Sequence, residues 1–332
     1  MALHSDTTII GHEQPLRALA MHLEQDMVAH AYFFQGPRGI GRFQVALGFA
    51  RQLLCEHHAL EGDGCRSCGL FEKDSHPDLM VLEVPEGKNS ISIDQTREAI
   101  QYVNVRPYLG GRKVVVIRDA DDMPVEAQNS LLKTLEEPPA YVHFILLGKN
   151  QESVLATVLS RCRVLTFSRL PLGQVAEYLT GLGQDEAAQD LWLSFFGGEI
   201  GSIVKILEDS DLRQRMLSQI ADYTGLLTKT PSERLNWVRS LGKLGVEDIL
   251  DICSRLEILW NIALLEGLSP DTAPGEHHPI IRDFIGKAAH STTGSIQKVL
   301  NSVVTLREDF KAGMNAQLQI ENLLLSLPIC LE

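Results

Sequence analysis

The octapeptide GPRGIGRF (36–43) follows the apolar run AYFFQ (31–35) and has the glycine spacing of a loop that holds phosphate. A glycine-rich turn between a strand and a helix presents successive backbone N–H groups to an anion, and the helix N-terminus adds partial positive charge. Gly36, Gly39 and Gly41 suit that use; the plainer alternative is a tight strand-to-helix turn that needs glycines for its own sake. In a phosphate-cleaving loop the last two positions are Lys, on the β- and γ-phosphates, and Ser or Thr, on Mg²⁺. Here they are Arg42, a larger planar cation, and Phe43, which has no ligand atom.

A second acidic motif should close a neighbouring strand. KVVVIRDADD (113–122) supplies the strand but ends in Arg118 and Asp119, a cation where a metal-holding Asp belongs and a short acid where a Glu would orient water. Phosphoryl transfer runs on electrostatic positioning around a metal, so these three defects predict no productive Mg·ATP binding. Asp121 and Asp122 read as a solvated loop face. Glu136 and Glu137 in LEEPP (135–139) do not form an acid–base pair, because adjacent helical residues face different ways; they read as a solvated helix end before Pro138 and Pro139.

Short apolar runs supply the strands to position these residues: AYFFQ, LMVLE (79–83), VVVI (114–117), HFILL (143–147) and RVLTF (163–167). Segments with helical spacing separate them, and that alternation predicts an α/β domain with a parallel sheet covered on both faces. Beyond SRLP (168–171) the strand signal stops. GQVAEYLTGL, DEAAQDLWLSFF and GSIVKILED are short amphipathic helices, and longer ones follow from about residue 212. Pro231 and Ser232 mark a helix start, Ile296, Val299, Leu300 and Val303 form one stripe, and 267–279 reads as a long loop. Trp192, Trp237 and Trp260 sit in helical patterns as core residues, with no aromatic ladder for single-stranded bases.

Composition narrows the class. A chain of 332 residues with 44% hydrophobic and 22% charged residues is an ordinary globular protein of two or three domains. A net charge of −13 argues against indiscriminate nucleic-acid binding, which depends on Lys and Arg displacing counterions. No apolar run reaches the ~20 residues of a membrane span and the N-terminus lacks a secretory pattern, so a cytoplasmic location without membrane contact is expected. The six cysteines suit no disulfide scaffold and leave Cys55, Cys65 and Cys68 as a metal question; Cys162, Cys253 and Cys330 read as buried thiols. His76, in SHPD, reads as a capping or packing residue.

NSLLKTLEEPP (129–139), HFILL and LATVLSRCRVLTF (155–167) together resemble the AAA+ subunits of the bacterial replicative clamp loader, and SHPDLMVLE (75–83) and ISIDQTREAI (91–100) match the same family. The resemblance is nearly continuous through residue 210 and looser beyond. It implies an α/β P-loop (AAA+) domain over 1–168 with a cysteine-containing insertion, a small helical lid over 169–210 and an all-α collar for oligomerisation over 211–332. Arg42, Phe43, Arg118 and Val204, the last where ATPase members carry a sensor Arg, fit a member with a degenerate nucleotide site. An ATP-hydrolysing gamma/tau-type subunit with an unusual loop is the alternative.

In that family the Arg of the SRC motif points across a subunit boundary at the neighbour's γ-phosphate. The resemblance thus implies that Arg161, between Ser160 and Cys162, is an arginine finger supplied in trans, with gamma/tau and delta subunits as partners and the sliding clamp and primed DNA bound within the complex. A permanently charged, bidentate guanidinium suits the task; a structural Arg between a helix and the last strand is the alternative. Family members place four cysteines where this chain has three, with Gly62 at the missing position. Zinc would need a fourth ligand from His58, His57 or Asp63, and otherwise the loop keeps reduced thiols without metal. Ile10, Gly11 and His12 match a segment that lines the adenine pocket.

Overall fold

The computed structural model describes residues 9–57, 65–85, 88, 90–109, 111–242, 244–268, 277–309 and 315–328. The ligand candidates His58 and Asp63, together with Gly62 and Cys330, lie outside the described residues. The chain divides into two compact units, Met1–Pro171 with Gly198–Ser202, and Leu172–Gly197 with Ile203–Glu332.

In the first unit every apolar run read as a strand is one: β1 Ala31–Gln35, β2 Leu79–Leu82, β3 Lys113–Ile117, β4 Val142–Gly148 and β5 Arg163–Thr166. They form one parallel sheet in the order β2-β3-β4-β1-β5, with Tyr32 level with Ile145 on one side and Arg163 on the other. Central strands are apolar throughout because both faces are covered. On β1, Tyr32 and Phe34 join a core with Val45, Phe49 and Leu53 of helix α2 (Arg42–Leu54), and helix α1 (Glu13–Glu24) adds Leu19. Ala31 and Phe33 face the opposite core, with Leu131 and Leu135 of helix α5 (Val125–Glu136) and Ala99 and Val103 of helix α4 (Ile93–Val103). A capping box fixes the start of α4: the Ser92 side chain accepts from Gln95 N–H and the Gln95 side chain accepts from Ser92 N–H. Helix α3 (Arg66–Glu72) follows the cysteine insertion, and α6 (Ala156–Leu159) leads into β5. Loops after β1, β3 and β4 emerge together at the carboxyl edge of the sheet, where open parallel sheets bind ligands.

The second unit contains α7 (Leu172–Gly181), α8 (Glu186–Phe196), most of α9 (Ile200–Glu208), α10 (Ser210–Leu226), α11 (Pro231–Ser240), α12 (Val246–Leu268), α13 (Pro279–Ala288), α14 (Thr293–Asp309) and α15 (Ala316–Ser326). Segments on both sides of the expected boundary at 210/211 fall in this one unit. His277 is one reason: its Nδ1 is 3.0 Å from Asp190 of α8 and its Nε2 is 2.9 Å from Glu266 of α12. Trp192 and Trp260 are buried, Trp260 edge-on to Phe284 at 5.2 Å, whereas Trp237 is half-buried against Tyr223.

Arg234 of α11 is 1% exposed. Its guanidinium donates to Leu226 and Leu227 carbonyls at the end of α10 and to Leu324, Leu327 and Pro328 carbonyls at the end of α15. Helix C-termini leave their last carbonyls unpaired and carry partial negative charge, so one buried cation satisfies both ends.

Candidate functional site

Gly36, Gly39 and Gly41 take φ values of 155°, 76° and 95°, and Gly41 caps α2. A Cβ at Gly36 would lie 2.3 Å from the Phe167 carbonyl oxygen, and one at Gly39 would lie 2.2 Å from Ser202 Oγ. Both glycines therefore answer to close packing as well as backbone conformation.

The guanidinium that the sequence set over this loop turns inward. Arg42 is 7% exposed and donates through Nε to Pro37 O at 3.1 Å and through Nη1 to Phe34 O at 2.9 Å and to Gly148 O. Burial lowers its pKa to about 10, with Asp121 and Asp119 opposing the fall, so it remains a cation at neutral pH. Its charge is directed at backbone carbonyls rather than at the face a phosphate would meet. On that outer face, Ser202 N–H donates to Gly39 O at 3.1 Å, and a Cβ at Gly201 would lie 3.2 Å from Gly41 N. Glu199, paired with Arg169 at 2.5 Å, brings a carboxylate close to Gly39. Backbone and an anion thus crowd the cradle.

Beyond β3, Arg118 pairs with Glu83 at 2.8 Å and stacks over the ring of Phe43 at the end of the loop, 4.6 Å from its centroid. The cation that meets the acids is Arg38, which sequence reading missed. Its Nη2 is 2.8 Å from Asp119 and also bonds Asp122, while Asp121 accepts from Lys149 N–H at 3.2 Å. Burial works against the Arg38 charge, but Asp119, Asp122 and Asp121 outweigh it and raise its pKa. Asp121 and Asp122 are therefore not the solvated face expected; they belong to an ionic cluster and are half-buried. A guanidinium thus pairs with the acid at the water-orienting position, Asp119, and with Asp122 beyond it. A cation inside the glycine loop, on a chain with an acid run after β3, was the available signal.

His12 Nε2 donates to Ile40 O at 2.7 Å, and Gly11 packs on Leu170, so the Ile10–His12 segment backs the loop directly. Val204 lies on α9, half-buried.

Arg161 is at the other edge of the sheet. It shares an open concavity of about 690 Å³ with Ala29, His30, Glu136, Cys162 and Arg163, at the amino end of β1, whereas the glycine loop leaves the carboxyl end. Five strand residues at ~3.3 Å each separate the two edges, so Arg161 cannot serve the loop of its own chain. Nη1 donates to Thr157 O at 2.6 Å and Ser160 Oγ at 3.2 Å, and Nη2 meets Glu136 Oε1 at 2.5 Å. Burial pushes the Cys162 thiol up to about 12, which makes it an inert neighbour.

The Sγ atoms of Cys55, Cys65 and Cys68 lie within 4.8 Å of one another, with Cys55 and Cys65 at 3.9 Å. Tetrahedral Zn²⁺ with bonds of ~2.3 Å sets sulfurs about 3.8 Å apart, which the Cys55–Cys65 separation matches. Among the described residues no fourth ligand joins them, and His57 is exposed. His76 anchors this region: Asp78 N–H donates to its Nδ1, its Nε2–H donates to Ser67 Oγ, and Ser67 donates to Leu54 O.

A parallel sheet with a glycine loop after β1, an acid run after β3 and an SRC arginine at the opposite edge is the architecture of an AAA+-type α/β P-loop domain. Residues 11–171 match the profile of the family described as "DNA polymerase III, delta subunit". DNA polymerase III subunit delta' of Escherichia coli K12 is 31% identical over 315 residues, 90% of this chain and 88% of that protein. The subunit delta' of Pseudomonas aeruginosa is 42% identical over 136 residues, 40% of this chain and 42% of that relative. Subunit tau/gamma of Haemophilus influenzae is 33% identical over 173 residues, covering 52% and 25%. The chain belongs to the DNA polymerase III subunit delta' family of clamp-loader proteins.

Proposed function

We propose that this chain is a non-hydrolysing clamp-loader subunit that lends Arg161 to the nucleotide of a neighbouring gamma/tau ATPase while the sliding clamp is loaded onto primed DNA. Gamma/tau and delta subunits are its partners, and the clamp and DNA are bound within the complex. One observation carries the reading: Arg42 is turned onto backbone carbonyls and Arg38 is paired with Asp119 and Asp122, so neither cation of the loop faces a phosphate site, while Arg161 stands at the opposite sheet edge. The isolated chain should bind no Mg·ATP by calorimetry and turn none over. Steady turnover by the chain alone would instead favour the gamma/tau-type reading. In the reconstituted loader, Arg161→Ala should slow DNA-dependent ATP hydrolysis at least roughly tenfold, since a finger supplies much of the transition-state charge stabilisation. An unchanged rate would remove the finger.

Structural zinc on Cys55, Cys65 and Cys68 is the proposed cofactor, tying the end of α2 to the start of α3. When bound, it would supply cross-linking and no chemistry. Elemental analysis of tag-free protein should return close to one zinc per chain, and Cys65→Ser should lose it; less than half an equivalent would retire the assignment.

A further inference from the structure

Glu136 is the last residue of α5, at the end of a helix where the backbone already carries partial negative charge. A carboxylate there is electrostatically misplaced unless a cation meets it. Arg161 does, at 2.5 Å across 25 residues of sequence. The helix end is itself fixed: Leu135 is 1% exposed in the core, and Pro138 and Pro139 prevent the helix from continuing. Glu136 is thus mounted on a rigid element, while Arg161 follows the four-residue helix α6.

The donor inventory shows what this does. A guanidinium has five N–H groups. Thr157 O and Ser160 Oγ take those on Nη1, and Glu136 takes one on Nη2. Among the described residues no acceptor takes the Nε–H or the second Nη2–H. Three donors aim the group, and two remain for phosphate oxygens. Exposed ion pairs contribute little to stability, so the pair's value lies in direction. A long side chain held on three acceptors has already lost the rotamer freedom it would otherwise lose on meeting a ligand.

Resting on the finger reading above, we infer that Glu136 is a positioning residue for Arg161: it holds the guanidinium oriented toward the γ-phosphate of a nucleotide bound by the adjacent subunit. Glu137, the cap residue just beyond the helix, is not among the hydrogen-bond partners of Arg161.

The test uses the complete reconstituted loader with primed DNA and clamp, carrying Glu136→Ala, Glu136→Gln, Arg161→Ala or the Ala/Ala double variant in this subunit. Glu136→Ala should lower kcat for ATP about five-fold, the scale of a loosened rather than lost contact, with KM within two-fold. Glu136→Gln keeps an acceptor oxygen and should recover most of the rate. The double variant should be no slower than Arg161→Ala alone, because the two residues act as one unit. A full or faster rate in Glu136→Ala, beside a slow Arg161→Ala, overturns the inference and leaves the finger standing; so does an additive double variant. If Arg161→Ala itself runs at the full rate, the finger reading fails and the inference with it. Thermal melts of Glu136→Ala and Glu136→Gln matching the parent exclude a folding effect.

Discussion

Two arginines in the glycine loop are both taken up by the chain's own oxygens. Arg42 is enclosed by carbonyls of Phe34, Pro37 and Gly148, and Arg38 binds Asp119 and Asp122. Buried hydrogen bonds to a charged group are strong, and removing the donor strands its acceptors. Arg42→Ala should therefore cost about 2–4 kcal/mol in urea unfolding while leaving ATP turnover at zero, an outcome opposite to that of a phosphate-binding residue. The identities of Arg42, Arg118 and Asp119 were legible in the sequence as departures from a phosphate-cleaving motif. Their directions were not, because the fold decides them: Gly148 O, which captures Arg42, lies 106 residues away, and Arg38 reaches Asp122 across 84. Arg118 went astray for the same reason, since Phe43 offers it a ring face that no motif spacing encodes.

Elements were far more readable. The central strands, covered on both faces, are nearly continuous apolar runs, and such runs located the sheet despite Lys113 and His143 within them. The start of α11 was equally plain: Pro231 is its first residue, and Thr230 with Glu233 forms a reciprocal cap. The α12 end was less so, since the helix continues to Leu268 beyond the Gly267 that was read as opening a loop. What no periodicity announced is Arg234, a charge inside an otherwise apolar α11 stripe. Arg234→Met keeps much of the volume but removes the guanidinium donor from five carbonyls at two helix ends, of which Leu226 O keeps the Lys229 N–H. We expect a loss of about 3–5 kcal/mol in denaturant melts monitored by Trp fluorescence. A loss under 1 kcal/mol would mean that water replaces the guanidinium.

Across the molecule, burial sets a pH response. His12, His22, His76 and His143, all in the first unit, have pKa values lowered chiefly by burial. Their folded pKa lies below the unfolded value of ~6.5, so the unfolded chain takes up more protons as pH falls and the contribution to stability, full above about 6.5, is lost on acidification. His76 and His22 add a geometric reason: each accepts on Nδ1, from Asp78 N–H and Tyr32 Oη–H, and a proton there would break the bond. The urea midpoint of the first unit's transition should fall between pH 7.5 and 5.5, and His76→Gln should flatten that slope. In the second unit, burial of His277 is outweighed by Glu266 and Asp190, which raise its pKa. Its contribution is present below ~6.5 and declines as pH rises through its folded pKa.

The separation of the glycine loop and Arg161 by the length of β1 has a consequence for counting. In a head-to-tail series every member both lends a group and receives one, and nothing in such an interface by itself limits growth. On the function proposed above, a chain that lends at one rim and receives nothing at the other would end the series it joins, and native mass spectrometry of the reconstituted loader should then count one copy of it per assembly.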